Sequence, residues 1–419
     1  MSLKRVVVTG LGALTPLGNT YEETWQAMIN GVSGAAPITN FDTTNFKTKF
    51  ACEVKGYNPL DHFDRKEARK YDPCAQLGMV AADMAIINSG LDLEKVDLER
   101  IGVIWGSGIG GLKTFSDEMA EFASAGTGIP RFNPFFIPKM IADITAGHIS
   151  IKYGFMGPNF TTVSACASST NAMADAFNYI RLGKAEVFIT GGSEAAVYEA
   201  GVGGFNAMHA ISMRNDDPTK ASRPFDKNRD GFVMGEGGVA LIFEEYEHAI
   251  ARGAKIYAEV IGTGLSGDAH HMTAPHPDGA GAAKAMKDAI SDAGITLQDI
   301  DHINTHGTST PVGDIAEPKA ILRVFGDHAK DIYVNSTKSM TGHLLGAAGA
   351  IEGMAVIMAL HDGIIPPTIN FEEKDPNIDY DAIKFVFNKA VKADIEIALS
   401  NTFGFGGHNA SIIFKKYRK

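Results

Sequence analysis

Three strand-and-glycine segments of the first half of the chain recur in the same order in the second half. RVVVTGLGALT is echoed by YAEVIGTGLSG, RIGVIWGSGIGG by HINTHGTSTPVGD, and the segment around Cys166 by residues 332–363. A repeated order of this kind indicates an internal duplication. Because each half alternates strands with helices, we expect an α/β protein whose two halves, residues 1–254 and 255–419, each build a mostly parallel sheet.

The overall composition is that of an ordinary soluble globular protein. The 419 residues are 45% hydrophobic and 21% charged, and the net charge is −11. An acidic balance argues against a general affinity for nucleic acid or for anionic membranes. We find no run of about 18 apolar residues that would span a membrane, and no apolar core or cleavage site of a signal peptide at the start. The sequence therefore predicts a cytoplasmic protein.

Cys166 lies at a predicted junction between a strand and a helix. The β-branched residues 161–163 are typical of a strand end, whereas the pattern from Ala167 to Arg181 is helical and Gly183 follows as a stop. A thiol at such a junction faces unpaired N–H groups and the positive end of the helix dipole, which favour a thiolate and can hold an oxyanion. The functional interpretation is a nucleophilic cysteine. The alternative is a small buried hydrophobe, the usual role of a free cysteine.

The duplication predicts which residues surround Cys166. If the two halves pack about a pseudo-twofold axis, the two strand–helix junctions point into one central site. The second junction presents His343 at the start of its helix, with Lys338 five residues earlier, and another echo places His306 in a loop after a strand. One thiol and two imidazoles would then converge from three segments.

Two glycine-rich runs are consistent with a dinucleotide-binding motif, but we reject that interpretation. GSGIGG at 106–111 and GTGLSG at 262–267 contain the G-x-G-x-x pattern. Neither run leads directly into a helix, and no acidic residue closes a following strand at the expected distance.

Two further segments lie outside the strand–helix alternation. Residues 113–140 carry Phe-Pro-rich turns, which indicates an insertion or cap over the core. The helical stretch that begins at 65 opens with basic residues spaced to lie on one helical face. The common interpretation of such a cluster is a solvated helix start, but in an acidic protein it is also the best local site for an anionic partner. The cluster consists of Arg65, Lys66, Arg69 and Lys70.

Four separated motifs resemble the β-ketoacyl-acyl-carrier-protein synthases. The motifs are TVSACASS around Cys166, NTHGTSTPVGD around His306, STKSMTGHLLGAAGA around Lys338 and His343, and SNTFGFGGHN at 400–409. The resemblance covers nearly the whole chain and is greatest to the type II elongating enzymes of bacterial fatty acid synthesis. It implies the thiolase fold, with two duplicated βαβαβαββ halves in α-β-α-β-α layers, and a homodimer.

The resemblance also implies a role for each matched residue. Cys166 would take an acyl chain from the phosphopantetheine of an acyl carrier protein, so the enzyme would need no cofactor of its own. His306 and His343 would bind a malonyl thioester and promote its decarboxylation. The backbone N–H groups of Cys166 and Phe403 would form the oxyanion hole, and Phe403 would gate the order in which substrates bind. The other matched positions are Thr308, Thr310, Ile109, Phe205 and Gly404 for substrate, and Lys338, Glu317 and Asp314 for support, with Lys338 orienting the site together with Glu317.

The residue types suit this chemistry. Loss of CO2 from a malonyl group supplies a carbanion at neutral pH without a strong base, and the enolate oxygen needs neutral N–H donors. Because two protonated imidazoles would repel each other, we expect at least one of His306 and His343 to be neutral.

Several other positions carry weaker expectations. Some relatives hold a structural monovalent cation, and this chain has Asn304, Glu352, Ser400 and Asn401 at the matching positions. His270, His271 and His276 fit no zinc spacing and resemble a loop near the mouth of the family's active site. Asn206 stands where glycine is usual, which could alter chain-length preference. His408 stands where threonine is usual, which could alter loop mobility.

Alternative functions stay open at this point. A type I synthase with a shorter or unsaturated-chain preference, or a ketosynthase of polyketide assembly, would differ only in pocket shape. A chain-length-factor partner shares the fold but lacks the nucleophile. A papain-like hydrolase pairs Cys with His, but it would leave the second histidine and the duplication unexplained. Under the elongating-enzyme hypothesis, the basic cluster would dock the acidic carrier protein.

Overall fold

Fifteen strands occur in the computed structural model, which describes residues 3–418. In chain order they are β1 (Val6–Leu14), β2 (Ala36–Pro37), β3 (Phe50–Ala51), β4 (Ile101–Gly106), β5 (Asn159–Thr162), β6 (Val187–Glu194), β7 (Gly237–Glu245), β8 (Ala258–Gly267), β9 (His302–Asn304), β10 (Tyr333–Asn335), β11 (Ile364–Ile365), β12 (Lys384–Phe385), β13 (Val391–Lys392), β14 (Ile397–Gly404) and β15 (His408–Lys416).

Thirteen α-helices accompany these strands within the same described residues. They are α1 (Tyr21–Ile29), α2 (Arg65–Ala68), α3 (Pro73–Ser89), α4 (Leu112–Ala125), α5 (Phe136–Met140), α6 (Ile144–Tyr153), α7 (Ser168–Arg181), α8 (Glu199–Ala207), α9 (Tyr246–Ala251), α10 (Ala280–Ala293), α11 (Gly313–Phe325), α12 (Lys338–Thr341) and α13 (Ala348–Asp362).

The strand order of the large sheet confirms the duplication. Eleven strands follow one another as β12-β10-β9-β14-β15-β8-β1-β7-β6-β4-β5. From the centre outward, β1, β7, β6, β4 and β5 of the first half match β8, β15, β14, β9 and β10 of the second. Each of the three segment pairs predicted from the sequence therefore occupies equivalent places in the two halves.

The expectation of a mostly parallel sheet is wrong. Strand β4 pairs in parallel with β5 and β6, and β9 with β10 and β14, but β1, β7, β8 and β15 all pair antiparallel with their neighbours. One cause is the connection from β14 to β15, which is only three residues long, at 405–407. A connection this short can join only antiparallel strands.

Helices α7 and α13 form a layer between the two halves of the sheet. Both helices pack against strands of both halves, whereas α3 and α6 cover the outer face of the first half and α10 that of the second. This arrangement is the five-layer thiolase-like fold. Residues 345–362 have the length and the mean hydropathy, 1.2, of a membrane span, but 89% of that stretch is buried inside the protein. Its apolar character is explained by its central position.

Local predictions are wrong at three segments. The GSGIGG run does lead directly into a helix, since α4 begins at Leu112 after Gly111. Residues 113–140 are not all turns but include helices α4 and α5, with an irregular connection at 126–135. Helix α2 is only four residues long and ends at Ala68, so the basic cluster does not share one helical face, although most of it is exposed.

The two central helices approach each other most closely at Gly349. A Cβ added there would lie 2.0 Å from Thr170 Oγ1 and 2.9 Å from the Thr170 backbone nitrogen. We expect Gly349→Ala to lower the free energy of unfolding by about 2 kcal/mol, because α13 must move away from α7. Gly147→Ala in α6, which has open space at its Cβ, should instead stabilise by about 0.5 kcal/mol. Urea denaturation followed by circular dichroism measures both, and equal stabilities would contradict the close approach.

Candidate active site

The strand–turn–helix junction predicted at Cys166 is present. Strand β5 ends at Thr162, a short 3-10 turn spans Ala165–Ala167, and α7 follows. Ala165 has a φ of +51°, a conformation uncommon for residues other than glycine. The second junction has the same backbone conformation, since Leu345 has a φ of +50° just before α13. The two halves therefore present the same strained turn at the start of each central helix.

The structure brings together the thiol and the two imidazoles expected from the duplication. His343 Nε2 lies 3.0 Å from Cys166 Sγ, and the rings of His306 and His343 have centroids 5.4 Å apart. The ligand-type atoms of all three residues lie within 4.8 Å of one another. His343 precedes its helix rather than starting it, because the turn at Leu345–Ala347 intervenes.

Hydrogen bonds fix which ring nitrogen of each histidine carries the proton. The Leu345 N–H donates to His343 Nδ1 at 3.3 Å, and Lys338 Nζ donates to His306 Nδ1 at 3.4 Å. Since each Nδ1 accepts, each Nε2 carries the proton and presents an N–H donor to the site. Burial, reinforced by the charge of Lys338, holds the pKa of both imidazoles well below the usual 6.5. The expectation of a neutral imidazole is confirmed for both.

Lys338 forms its ion pair with Glu352 rather than with Glu317. Both partners of the pair are buried, and burial raises the pKa of Glu352 to about 7 although the ammonium opposes this. The Glu317 carboxylate instead accepts the backbone N–H groups of His306 and Gly307, each at 2.8 Å. Glu317 and Lys338 thus act on the same residue, because Lys338 donates to the His306 ring and Glu317 anchors the loop that carries it. Their joint role in orienting the site stays a prediction.

Asp314 supports the same loop from the start of α11. Its carboxylate accepts the backbone N–H groups of Ser309 and Phe225, at 3.1 and 2.8 Å. Burial raises its pKa to about 6, against the lowering effect of Arg229. Asp314 thus connects the loop after β9 to the long segment between α8 and β7, which contains Phe225.

The Cys166 thiol is protonated in the resting site. Burial raises its pKa to about 11, although the Lys338 ammonium and the backbone N–H of Phe405 both lower it. The junction was expected to favour the thiolate; burial instead favours the thiol, because desolvation outweighs the neighbouring donors. The contribution of Phe405 was not foreseen, since nothing in the GFGG sequence marks one amide as a donor to sulfur.

A cavity of about 630 Å³ extends from Cys166 toward the surface. The predicted substrate residues all line it: Thr308, Thr310, Ile109, Phe205, Phe403 and Gly404. The two threonine hydroxyls are 3.0 Å apart, and the Phe403 ring lies 5.7 Å from the His306 ring. A Cβ at Gly404 would lie 3.0 Å from the Cys166 nitrogen. Glycine therefore lets the β14–β15 loop pass directly over the N–H group of the nucleophile.

The histidine-rich loop lies at the mouth of this cavity, as predicted. His276 lines the cavity, and its ring centroid is 5.2 Å from that of His270. Asp268 accepts the His276 N–H and the Asn409 amide, so the loop is tied to β15. His408, beside it, is exposed.

The predicted cation positions are all buried. Asn304 and Ser400 are register partners in β9 and β14, and Asn401 is bonded to Ser411 and Glu317. Within residues 3–418, Glu352 Oε2 and Ser400 Oγ find no hydrogen-bond partner, and neither does Asn304 Nδ2. The cation itself stays a prediction.

The site and the fold together define a class of protein. A buried thiol beside two imidazoles that present N–H donors, at the meeting point of two duplicated halves, is the arrangement expected of a thiolase-like condensing enzyme. Comparison with known proteins extends this. The family described as "Beta-ketoacyl synthase, N-terminal domain" matches residues 3–249, and its "C-terminal domain" matches residues 257–372. The chain belongs to the β-ketoacyl synthase family.

Individual relatives match this chain over nearly its full length. The chain is 48% identical over 415 residues to "3-oxoacyl-[acyl-carrier-protein] synthase 2" of Synechocystis sp., covering 99% of both chains. A β-ketoacyl synthase structure from Burkholderia phymatum superposes with a TM-score of 0.91 at 34% identity, covering 99% of this chain and 100% of that one. A type II polyketide ketosynthase in complex with its acyl-carrier protein gives a TM-score of 0.88 at 32% identity, covering 99% and 100%.

Proposed function

We propose that this protein is a cytoplasmic acyltransferase that elongates fatty acids. It condenses an acyl chain and a malonyl group, each carried on an acyl carrier protein, to give a 3-oxoacyl-carrier protein, CO2 and free carrier. The observation that carries the proposal is the 3.0 Å contact of Cys166 Sγ with the protonated Nε2 of His343, beside the second neutral imidazole of His306. The phosphopantetheine arm belongs to the carrier, so the mechanism uses no resident cofactor.

Acyl transfer to Cys166 is the first step. The sulfur attacks the acyl carbonyl carbon, the carbon–sulfur bond to the pantetheine breaks, and the thiol proton ends on the departing pantetheine sulfur. The oxyanion would be held by the backbone N–H groups of Cys166 and Phe403. A thioester suits a waiting intermediate because it stays reactive toward a carbanion.

Decarboxylation and condensation follow in the same cavity. The malonyl carbon–carbon bond breaks to release CO2, and the electron pair forms an enolate whose oxygen accepts from Nε2–H of His306 and His343. The enolate carbon then attacks the acyl carbonyl and expels the Cys166 thiolate, which takes a proton from solvent. Thr308 and Thr310 would hold the pantetheine arm during both steps.

The presence of the complete site argues against the alternatives. A chain-length-factor partner would lack the nucleophile, whereas Cys166 is in place. The polyketide ketosynthase in the comparison is 32% identical, against 48% for the fatty acid synthase relative, which favours fatty acid elongation. The preferred chain length is set by the cavity walls.

Cys166→Ala should abolish adduct formation and condensation, whereas His306→Ala and His343→Ala should still form the acyl adduct. The two histidine variants should lose condensation by about 100-fold or more each, since each removes a donor to developing negative charge. Intact mass spectrometry after incubation with palmitoyl- and shorter acyl-carrier proteins, then with malonyl-carrier protein, follows adduct and product. An absence of adduct on the folded wild type would refute the proposal.

We also propose that the basic cluster docks the carrier protein. Arg65, Lys66 and Arg69 are exposed, and Lys70 is held by Glu67 at 2.5 Å. In a chain of net charge −11 this is a local site for an acidic partner. The complex of a related ketosynthase with its acyl-carrier protein supports a partner of this kind.

Lys66→Glu combined with Arg69→Glu should raise KM for acyl-carrier protein about tenfold at low salt, because charge complementarity steers the encounter. The rate with a small acyl-cysteamine thioester should not change, since that substrate bypasses docking. Lys415→Glu, an exposed charge on β15, is the matched control. A similar loss for the control and the double variant would contradict this docking surface.

We propose a homodimer on the basis of an uncovered sheet edge and apolar surface. Strand β5 is the last strand of the large sheet, and residues 113–140 expose large apolar side chains. A free sheet edge and an exposed apolar surface both favour self-association, and an isologous contact would cover them. The exposed residues of this surface are Phe115, Met119, Ile129, Phe132, Phe135 and Ile137.

Light scattering should give twice the chain mass of 44.7 kDa for the wild type. Ile137→Arg should shift the population toward monomer, because it places a charge in the apolar contact. Ile87→Arg is the control, since Ile87 is even more exposed, at 78%, but lies on α3 away from this segment. A wild-type monomer, or equal dissociation of both variants, would refute the assignment.

A further inference from the structure

The GSGIGG run, which we rejected as a nucleotide site, encloses a carboxylate of the protein itself. Glu194, the last residue of β6, is fully buried. Its Oε2 accepts the backbone N–H of Gly108 at 2.7 Å, and its Oε1 accepts those of Ile109 and Gly110 at 3.2 Å each. Three successive N–H groups directed at one anion form a nest. The glycine run is thus an anion site that is already filled.

The same carboxylate also bonds to the second half of the chain. Glu194 Oε2 accepts the Gly346 N–H at 3.0 Å, in the turn before α13. A Cβ at Gly346 would lie 2.6 Å from Oε2, and a Cβ at Gly108 would lie 2.9 Å from it. Both loops therefore come this close to the carboxylate because they carry glycine at these positions.

Each of these loops carries a part of the active site. The first loop holds Ile109, which lines the cavity. The second holds Leu345, which also lines the cavity and whose N–H bonds to His343 Nδ1. That bond determines which nitrogen of His343 faces the Cys166 sulfur. A displacement of either loop would change the cavity wall or the orientation of the histidine.

We infer that Glu194 is a positioning residue of the condensing site: its carboxylate joins the Ile109 loop of one half to the Leu345–Gly346 turn of the other. This role in condensation rests on the proposed function, whereas the effect on cavity shape does not. Glu194 touches neither substrate nor the reacting atoms. Its charge raises the pKa of the Cys166 thiol, an effect that both alkylating reagents below would share, but its contacts are with the two loops.

Glu194→Gln tests the inference with almost no change of volume. A glutamine side chain has one acceptor oxygen, and its NH2 group would face N–H donors that it cannot satisfy. The loop whose N–H groups face the NH2 group should therefore move away from residue 194. We expect condensation kcat to fall about tenfold, and the relative rates for short and long acyl chains to change. Glu194→Asp, which keeps the charge, should recover part of kcat.

A second readout is independent of condensation. Iodoacetamide and N-octyl iodoacetamide both alkylate Cys166 from the same cavity. Intact mass spectrometry measures the rate of each alkylation, and Cys166→Ala gives the background labelling. Glu194→Gln should change the ratio of the octyl to the parent rate by threefold or more. If the wild type failed to condense but this ratio still shifted, the proposed function would fail and the positioning role would stand.

Glu244→Gln is the matched control. Glu194 and Glu244 are buried carboxylates at opposite ends of the paired strands β6 and β7, but Glu244 bonds to Arg252 and Thr9, far from the cavity. The control should lose stability and keep the wild-type labelling ratio. If Glu194→Gln did not fold, Gly108→Ala would disturb the nest from the loop side and should give the same shift. Wild-type labelling ratios in a folded variant of the nest would overturn the inference.

Discussion

The packing of α7 against α13 is the contact on which the rest of the site depends. The helices meet where Gly349 faces Thr170, and each is preceded by a turn with one residue at positive φ. Because the two turns are related by the duplication, packing the helices side by side brings the turns together. Cys166 follows the strained residue of one turn and His343 precedes that of the other. Their 3.0 Å contact is thus a consequence of how the halves pack.

Burial at this junction also sets the protonation of the site. Desolvation favours the neutral form of every titratable group, so both histidines are neutral and the thiol keeps its proton. The ammonium of Lys338 lowers the pKa of all three groups and is itself balanced by Glu352. The carboxylates of Glu317 and Glu194 accept backbone N–H groups instead. These acidic side chains hold loops in place, and the N–H donors of the imidazoles face the Cys166 sulfur and the cavity.

The sequence was sufficient to predict the parts of the site that depend on local pattern and on repetition. The junction at Cys166 is a local signal, and the repeated order of segments predicted His306 and His343 because equivalent strands occupy equivalent places in the sheet. The ion pair of Lys338 with Glu352 was not predicted, since the two residues lie on different helices and no local spacing connects them. The antiparallel strands were missed because short buried strands have the same apolar pattern in either direction.

Glu194 shows why some functional contacts escape sequence reasoning. It ends an apolar strand and bonds to amides 84 to 86 residues earlier and 152 residues later, so no local spacing connects the partners. Only the glycine run, which had no phosphate to bind, hinted at an anion, and the sequence did not single out Glu194. A buried carboxylate with no cation and a nest of N–H groups with no other ligand can bind each other within one chain. A glycine motif without its expected ligand is therefore a reason to search the buried carboxylates.

Parts of the cavity wall are held by buried polar side chains behind them. Asn206 donates to Thr48 Oγ1 at 2.8 Å, and the Thr48 hydroxyl donates to the Ser212 carbonyl. These bonds tie the end of α8, and with it Phe205, to a neighbouring loop. Glu194 does the same for the loop that carries Ile109. Because Phe205 and Ile109 both line the cavity, the position of its walls depends on polar contacts that lie behind them.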